Sequence, residues 1–508
     1  MQSILPLKLP NSGSDNIIGF LLAIIKLLIF SVAEHKTLIE QLKKQNIELT
    51  VRLHKVNRVF SPKNEKSSDE EPKNAKKKKR GGQPGHKPTK RNIPKDLKKK
   101  EILQDFDETP CCNSCQTPYK RINAFDRISN QVQLTISAIH EIVTRCAYKR
   151  DCNCSQSPKF KIAPQRDSVI KKSIHSTVSW VNLIIMKYFL AVPIYRYVQV
   201  LKPMGYKLSA GTVENGFKKI GLLLEPVYQA LIVELRKDPL WNADETRWKV
   251  FETIENKTSF LWWLWVFASK KVVIYIIDPT RSADVINKIN GGLFRIFSAD
   301  RFSSYEAIKK TADVLIAYCW VHLRRDFINL RSLKGYKDNP ILEKWVDDWL
   351  YQIKRVFKLN KQRLKAKSEE EFNELTVALR SIVDKLRLQK EEDLKYEFQK
   401  KILRSFLKRF SGYTIFIDRP EVPLHNNRAE QLLKIAIFGR KNYLGNVSSK
   451  SVKHTQIFLS IISTARINGV APQTWFTDYL EACAKNDSKA LEGASLKFHV
   501  DNLLNQPS

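Results

Sequence analysis

The pattern of apolar and polar residues changes several times along the chain, and each change predicts a different element. From residue 21 to residue 60, apolar residues recur every seven positions on two seams, without Pro or Gly. This period predicts a two-stranded coiled coil over residues 15–60. Asn46 lies on one seam, where a buried amide favours a parallel pair. A single amphipathic helix packed on the protein's own core is the alternative.

Residues 61–100 contain almost nothing apolar and predict a disordered basic linker. These residues include fifteen Lys or Arg and five acids, with Ser, Pro and Gly between them. Lys79 and Arg80 lie in its most basic part, which suits contact with phosphates or a narrow minor groove. A solvated spacer is the alternative.

Six of the eight cysteines lie close together, which favours a metal site over a disulfide framework. Cys112 and Cys115 have the spacing of a zinc knuckle. The second pair, Cys152 and Cys154, is separated by one residue, which is short for a knuckle. We predict a zinc-ribbon-like domain over 101–160 in which these four cysteines bind Zn²⁺, or in which Cys111 or Cys146 completes the site. A metal-free remnant of the same ribbon is the alternative.

Residues 170–236 follow a helical period and predict a helical DNA-binding subdomain. The stretch 205–219 is typical of a helix-turn-helix, with Ser209 as the expected N-cap of the second helix. A plain helical subdomain without a DNA-binding role fits this signal equally well.

Short runs rich in β-branched and aromatic residues then predict strands. They lie near residues 241–246, 260–267, 272–278, 294–299 and 314–320. Asp244 lies inside the first run, and Asp300 follows the fourth. Three adjacent strands, followed by alternating helix and strand, predict an α/β domain with an RNase H-like fold.

Residues 336–412 are helical and charged, and predict an all-α insertion in this catalytic core. The core is thereby divided into the ranges 237–335 and 413–485. Glu430 opens a helical pattern after the insertion, and Asn426 and Asn427 are expected to cap its helix. Carboxylates that arrive on two strand ends and one helix suit a two-metal phosphoryl-transfer site. Mg²⁺ prefers oxygen ligands, and two such ions clamp the attacking and leaving oxygens.

The net charge of +35, from 87 Lys and Arg against 52 acids, points to a polyanionic partner. DNA is the leading candidate, and an acidic membrane surface is the rival. The apolar run 17–33 is interrupted by Lys26, and no small-residue cleavage site follows it. We therefore expect no membrane span and a cytoplasmic, nucleoid-associated protein.

Several motifs resemble those of the transposases of insertion sequence family sixty-six, the TnpC-type DDE recombinases, over nearly the whole chain. The matching stretches are GGQPGH (81–86), ADET (243–246), SAD (298–300), CWVHLRRDF (319–327), PLHNNRAE (423–430), GRKN (439–442) and TARINGVAP (464–472). Because these motifs are independent and occur in the expected order, the resemblance is specific.

The resemblance implies that Asp244, Asp300 and Glu430 are the DDE acids and hold two Mg²⁺ ions, or Mn²⁺ in their place. It also implies a leucine zipper at 15–60 and a zinc ribbon at 101–160. The implied reaction is cleavage at the ends of an insertion element, followed by attack of the exposed 3′-hydroxyls on target DNA. An inactive or nuclease-only RNase H-like DNA-binding protein is the alternative.

Supporting residues follow from the same motifs. His322 is expected near the scissile phosphate, where an imidazolium offsets developing charge. A structural role for His322 is the alternative. Further contacts to DNA phosphates are expected from Arg324, Arg325, Arg440 and Lys441. The neighbouring acids Glu245 and Asp278 are expected to have no catalytic role.

The expected partners are DNA, at the element ends and at the target, and further copies of the chain through the coiled coil. A homodimer or a higher oligomer would satisfy this pattern. The sequence leaves open whether small accessory proteins encoded by the same element take part.

Overall fold

The computed structural model describes residues 14–60, 139–144, 146–149, 160–162, 164–253, 259–310, 313–332 and 336–505. The basic linker predicted at 61–100, with Lys79 and Arg80, lies outside these ranges. The four cysteines predicted to bind zinc also lie outside them.

Helix α1, Ser14–Phe60, is one uninterrupted helix, as the seven-residue period predicts. Its apolar residues are largely open to solvent. The relative exposures of Leu28, Leu42 and Leu49 are 59%, 55% and 56%. The helix meets the rest of the protein through an ion pair between Glu40 and Lys395, 3.1 Å apart. Most of the apolar stripe is therefore not covered by the protein's own core.

Two short strands pair within the region predicted as a zinc ribbon. Strand β1, Ala147–Lys149, runs antiparallel to β2, Phe160–Ile162. Cys146 precedes β1 and is exposed. Because the four predicted ligands lie outside the described ranges, zinc binding stays a prediction.

Helices fill the region predicted as the helical subdomain. They are α2 (Thr177–Ile184), a π-helical turn (Ile185–Phe189), α3 (Ile194–Leu201) and α4 (Ala210–Lys237). Gly205 joins α3 to α4 with a φ of 79°, which glycine adopts without strain. The hydroxyl of Ser209 accepts a hydrogen bond from the backbone N–H of Thr212, 3.0 Å. This contact confirms Ser209 as the N-cap of α4.

The central sheet confirms the predicted α/β class. Its strands are β3 (Leu240–Lys249), β4 (Leu261–Ala268), β5 (Val273–Asp278), β6 (Arg295–Ala299) and β7 (Val314–Tyr318). Their order is β5-β4-β3-β6-β7. β3, β4 and β5 pair antiparallel, whereas β6 and β7 run parallel to β3. The helices that follow are α5 (Ala283–Asn290), α6 (Ser303–Ile308) and α7 (Trp320–Arg331).

The described residues of the next region form helices joined by loops, without a strand. Its helices are α8 (Pro340–Arg363), α9 (Glu369–Arg387), α10 (Glu397–Lys408) and α11 (Phe410–Asp418). Arg363 is buried at the end of α8, and its guanidinium donates to the carbonyl of Ile417, 3.0 Å. At Gly412, a Cβ would lie 2.3 Å from the carbonyl oxygen of Ile316. The lack of a side chain there lets α11 lie directly against β7.

The last helices return to the sheet. They are α12 (Asn427–Tyr443), α13 (Ser449–Ile467), α14 (Pro472–Lys485) and α15 (Gly493–Leu504). α12 packs along β3 and α13 packs against β5. Glu430 is thereby placed on a helix that lies on the central strand.

Side chains of α13 complete the outer edge of β5. Ser460 Oγ accepts from the backbone N–H of Tyr275 at 2.9 Å, and Thr464 Oγ1 accepts from that of Val273 at 3.1 Å. Ser460 and Thr464 are four residues apart, which is about one helical turn, and their partners Tyr275 and Val273 are two residues apart in the strand. The two spacings are similar in length, so successive turns of the helix lie opposite alternate residues of the strand. An edge strand otherwise presents unpaired N–H groups that invite aggregation.

We expect Ser460→Ala to destabilise the protein, because it leaves the buried N–H of Tyr275 without an acceptor. The cost should be about 1–3 kcal/mol, seen as a lower Tm in thermal unfolding. Thr477→Val is the matched control, since the Thr477 hydroxyl donates to the carbonyl of Gln473 within its own helix. Equal melting temperatures for the two variants would contradict the role assigned to Ser460.

Candidate active site

Asp244 and Asp300 are brought side by side by the pairing of β3 with β6. The two strands are parallel, with Asn242 opposite Ser298. Each acid lies two residues further along its chain: Asp244 is still within β3, and Asp300 directly follows the end of β6. The two acids therefore lie towards the same end of neighbouring parallel strands, and the charge of Asp300 acts on Asp244.

The surroundings of these two acids favour a bound cation. Asp244 is half-buried, and its Oδ1 accepts from the backbone N–H of Glu245, 2.9 Å. Burial, and then the charges of Glu245, Asp300 and Glu430, raise the pKa of Asp244 well above its usual range. Asp300 Oδ1 accepts from the N–H of Phe302, 2.9 Å, which holds that carboxylate at the end of its strand. An acid whose pKa is perturbed as that of Asp244 is a candidate for a functional site.

The third acid, Glu430, lies in the first turn of α12. Its Oε1 is 3.4 Å from Nε2 of His322, which lies on α7. This buried oxygen has no hydrogen-bond partner among the described residues. A buried carboxylate oxygen without a donor is unusual in a folded protein, and a ligand would satisfy it.

His322 lies between charges of both signs. Burial and the nearby Arg325 lower the pKa of His322, although the charges of Glu430 and Asp300 act in the opposite direction. The neutral imidazole is therefore favoured near neutral pH. The expected role of His322 beside the scissile phosphate stays a prediction, and the contact that the structure describes is the one with Glu430.

Asn426 stands at the N-cap position of α12, but the expectation that its side chain caps the helix is wrong. Its Nδ2 donates to the carbonyl of Ala243, 2.7 Å, and its Oδ1 accepts from Nδ2 of Asn242, 3.1 Å. Asn427 is the first residue of the helix and not its cap. The amide of Asn426 binds β3 because strand and helix meet there, a contact that a local capping rule does not anticipate.

Glu245 is buried on the other side of β3 from Asp244. Arg281 donates from Nε to its Oε1, 3.1 Å, and the hydroxyl of Tyr305 donates to its Oε2, 2.9 Å. Burial and the charge of Asp300 nevertheless raise the pKa of Glu245. One feature of the sequence indicated that Glu245 has a partner: an acid at a buried strand position needs one. Its partner stands 36 residues away, which the pattern does not indicate.

The basic residues predicted to contact DNA have different surroundings. Arg325 is half-buried, whereas Arg324 and Lys441 are exposed. Arg440 donates from Nη1 to the hydroxyl of Thr246, 3.0 Å, and so fastens α12 to β3. Part of the Arg440 guanidinium thus serves the fold, and a phosphate contact would use its other N–H groups.

Among the described residues, no group of three or more His, Cys, Asp or Glu side chains is close enough together to hold a metal ion as it stands. Asp244, Asp300 and Glu430 supply the oxygen ligands that Mg²⁺ and Mn²⁺ prefer. Their mutual repulsion and the unpartnered Oε1 of Glu430 fit such an ion. The carboxylates would have to close around it.

A family model described as "Transposase IS66 family" matches residues 172–453, more than half of the chain. The chain belongs to the IS66 transposase family. Membership confirms the resemblance found in the motifs and implies a function in transposition, and with it an enzyme that binds and processes DNA. The match includes Asp244, Asp300 and Glu430.

Relatives of this IS66-family chain occur in Sinorhizobium fredii (strain NBRC 101917 / NGR234). The uncharacterized protein y4jD is 21% identical over 407 residues, which cover 77% of each chain. The uncharacterized protein y4hP is 24% identical over 357 residues, or 66% of this chain and 63% of the relative. No solved structure matches the chain. No helix in the described ranges combines the length and the apolar character needed to cross a membrane.

We expect Asp244→Asn to raise the Tm in the absence of divalent cations. Because the fold raises the pKa of Asp244, the stability contributed by its protonated form is lost as pH rises through the folded pKa. The amide does not ionise, so the variant does not suffer this loss. The gain in Tm should be small below a pH of about 4, the unfolded pKa, and should grow toward neutral pH.

Thermal unfolding in a chelator over a series of pH values measures this gain. Asp284→Asn is the control, because Asp284 is an exposed acid near the start of α5. A lower Tm for Asp244→Asn than for wild type at neutral pH would show that repulsion among the acids does not strain the fold.

Proposed function

We propose that this IS66-family protein is a DDE transposase that cuts the ends of its insertion element and joins them to target DNA. The observation that carries the proposal is that the charges of Asp300, just after β6, and of Glu430, on the helix along β3, both act on Asp244 in β3. The strand order β5-β4-β3-β6-β7, with three antiparallel strands followed by two parallel ones, supports an RNase H-like core. The helices of 336–412 would then be an insertion in that core.

The three acids would hold two divalent cations, Mg²⁺ or Mn²⁺. When bound, such ions would activate the attacking water or 3′-hydroxyl and offset charge on the phosphate. The carboxylates suit this task because their pattern of burial and repulsion makes the empty site unfavourable. Asp244, on the central strand and acted on by both other acids, is the best placed to contact both ions.

The chain's other residues would orient the reacting groups. His322 faces Glu430, and as a neutral imidazole it would fix the rotamer of that carboxylate. Arg324, Arg325 and Lys441 would hold DNA phosphates around the site. Lys79 and Arg80, outside the described ranges, would contribute through the basic linker. The helices of 170–236 would add a further DNA-binding surface, and a zinc ribbon at 101–160 stays part of the proposal.

The apolar stripe of α1 would be covered by the same helix of a second copy. Leu28, Leu42 and Leu49 are more than half exposed, although they recur at multiples of seven residues. Burying such leucines stabilises an assembly by about 1.5–3 kcal/mol per side chain. Two copies would place two catalytic sites in one assembly, one for each element end.

We expect Asp244→Asn, Asp300→Asn and Glu430→Gln each to abolish both end cleavage and strand transfer. Each change keeps the shape of the side chain but removes an anionic oxygen ligand. DNA binding should persist, because the basic surfaces are unchanged and the loss of an acid favours binding to a polyanion. The measurement is a cleavage and strand-transfer assay on labelled element ends with Mg²⁺, run beside a gel shift.

Asp278→Asn is the control for this series. Asp278, the last residue of β5, accepts from the backbone N–H of Thr280, 2.7 Å, within its own turn, so its amide should leave substantial activity. Glu245→Gln is unsuitable as a control, because Glu245 is buried against Arg281. Cleavage without strand transfer by the wild-type protein would indicate a nuclease, and full activity in all three amides would reject the DDE assignment.

We also expect residues 15–60 to direct dimerisation. Replacing Leu28 and Leu42 together by Lys should convert the full-length protein to a smaller species in analytical ultracentrifugation, because charges would enter the apolar seam. Replacing Glu34 and Lys36 by Gln, both exposed on α1, is the control and should leave the assembly unchanged. A wild-type protein that sediments as a monomer at every concentration tested would rule out this interface.

A further inference from the structure

Three elements that carry proposed site residues meet at one buried residue, Asn426, which uses both its side chain and its backbone. Its relative exposure is 1%. Its Nδ2 donates to the carbonyl of Ala243, the residue before Asp244. Its own carbonyl accepts the backbone N–H of Glu430, 3.3 Å, one helical turn later. Asn426 therefore links Asp244 to Glu430: one hydrogen bond joins its side chain to the residue before Asp244, and a second joins its backbone carbonyl to Glu430.

The same residue also reaches α7. The backbone N–H of Asn426 donates to Sγ of Cys319, 3.3 Å. The carbonyl of Cys319 accepts the N–H of His322, 3.2 Å. In addition, the N–H of Trp320 donates to the carbonyl of Leu424, 2.9 Å. The start of α7, with His322, is thus fixed to the segment that leads into α12.

We propose that Asn426, assisted by Asn242, is a positioning residue that sets the separation of Asp244, Glu430 and His322. This inference rests on the proposed DDE function. Asn242 donates to Oδ1 of Asn426, so both ends of the Asn426 amide are used and its orientation is fixed.

The hydrogen bonds, and not the volume of the side chain, make Asn426 suited to this role. The peptide between Ala243 and Asp244 is planar, so a hydrogen bond to the carbonyl of Ala243 also fixes the orientation of the backbone nitrogen of Asp244. An apolar side chain of similar size would fill the space but would remove both side-chain bonds that hold the start of α12 on β3. A shift of about 1 Å is enough to cost a large part of the activity of a pre-organised site.

The experiment compares Asn426→Ala and Asn426→Asp with Asn290→Ala in the full-length protein. Asn290 is also fully buried, and its Nδ2 donates to the carbonyl of Leu293, 2.8 Å, in the loop that follows α5. It therefore reports what the loss of a buried amide costs away from the site. Asn426→Asp keeps the shape but places an oxygen against the carbonyl of Ala243.

Four quantities are measured for each variant: the Tm, kcat and KM for cleavage of element ends, and the affinity for Mn²⁺ by calorimetry without DNA. Both Asn426 variants should lower kcat by about 10- to 100-fold, as losses of residues that orient metal ligands do. KM for DNA should stay within about two-fold. The affinity for Mn²⁺ should fall by about ten-fold or more. Asn290→Ala should change the Tm but neither kcat nor the affinity for Mn²⁺.

The inference is overturned if Asn426→Ala matches Asn290→Ala in kcat and in affinity for Mn²⁺. If the Asp244→Asn protein still cleaves DNA, the proposed function fails, and the affinity for Mn²⁺ alone then decides the role of Asn426. If Asn426→Ala does not fold, Asn242→Ala takes its place, since it removes one of the two side-chain bonds. Asn242→Ala should lower kcat and the affinity for Mn²⁺, but by less than Asn426→Ala. Wild-type values of both quantities would reject the inference.

Discussion

Helix α12 is fastened along strand β3 at its start, in its last turn and just beyond its end, and the position of Glu430 depends on this. Asn426 binds the carbonyl of Ala243 at the start, and Arg440 binds the hydroxyl of Thr246 further on. Beyond the end, Asn446 accepts from Nε1 of Trp248, 2.8 Å. Later residues of the helix meet later residues of the strand, so the two elements run parallel. The 17 residues of α12 span about 25 Å, about three quarters of the roughly 33 Å of the ten-residue strand β3.

The chain uses the same device on the edge of the sheet. Ser460 and Thr464 of α13 accept from backbone N–H groups of β5, as the side chain of Asn426 binds the backbone of β3. Apolar contacts alone are tolerant of small displacements, because dispersion and the hydrophobic effect have little direction. Buried polar contacts are not, since a displaced donor or acceptor is left unsatisfied. The polar side chains therefore determine the position of each helix along its strand, and the apolar core supplies the stability.

The sequence predicted what depends on local periodicity. The strands, the helical region at 336–412 and the helix that carries Glu430 appear where their patterns indicated. What it missed depends on contacts between distant residues. The bond from Asn426 to Ala243 spans 183 positions, and it replaced the cap that a local rule predicted. The partner of Glu245, Arg281, was missed for the same reason, because burial shows that an acid needs a partner but not which residue supplies it.

The amide contacts at Asn426 and the charges of the acids act against each other. Burial, and then the charges of Glu245, Asp300 and Glu430, disfavour the ionised form of Asp244, as its raised pKa shows. The charge of Glu430 therefore opposes a close approach of α12 to β3 at Asp244. The bonds from Asn426 to β3 favour that approach, and a divalent cation between the acids would favour it too. The polar contacts would thus hold an unfavourable arrangement of charge in place until a cation makes it favourable, which is how a binding site is organised before its ligand arrives.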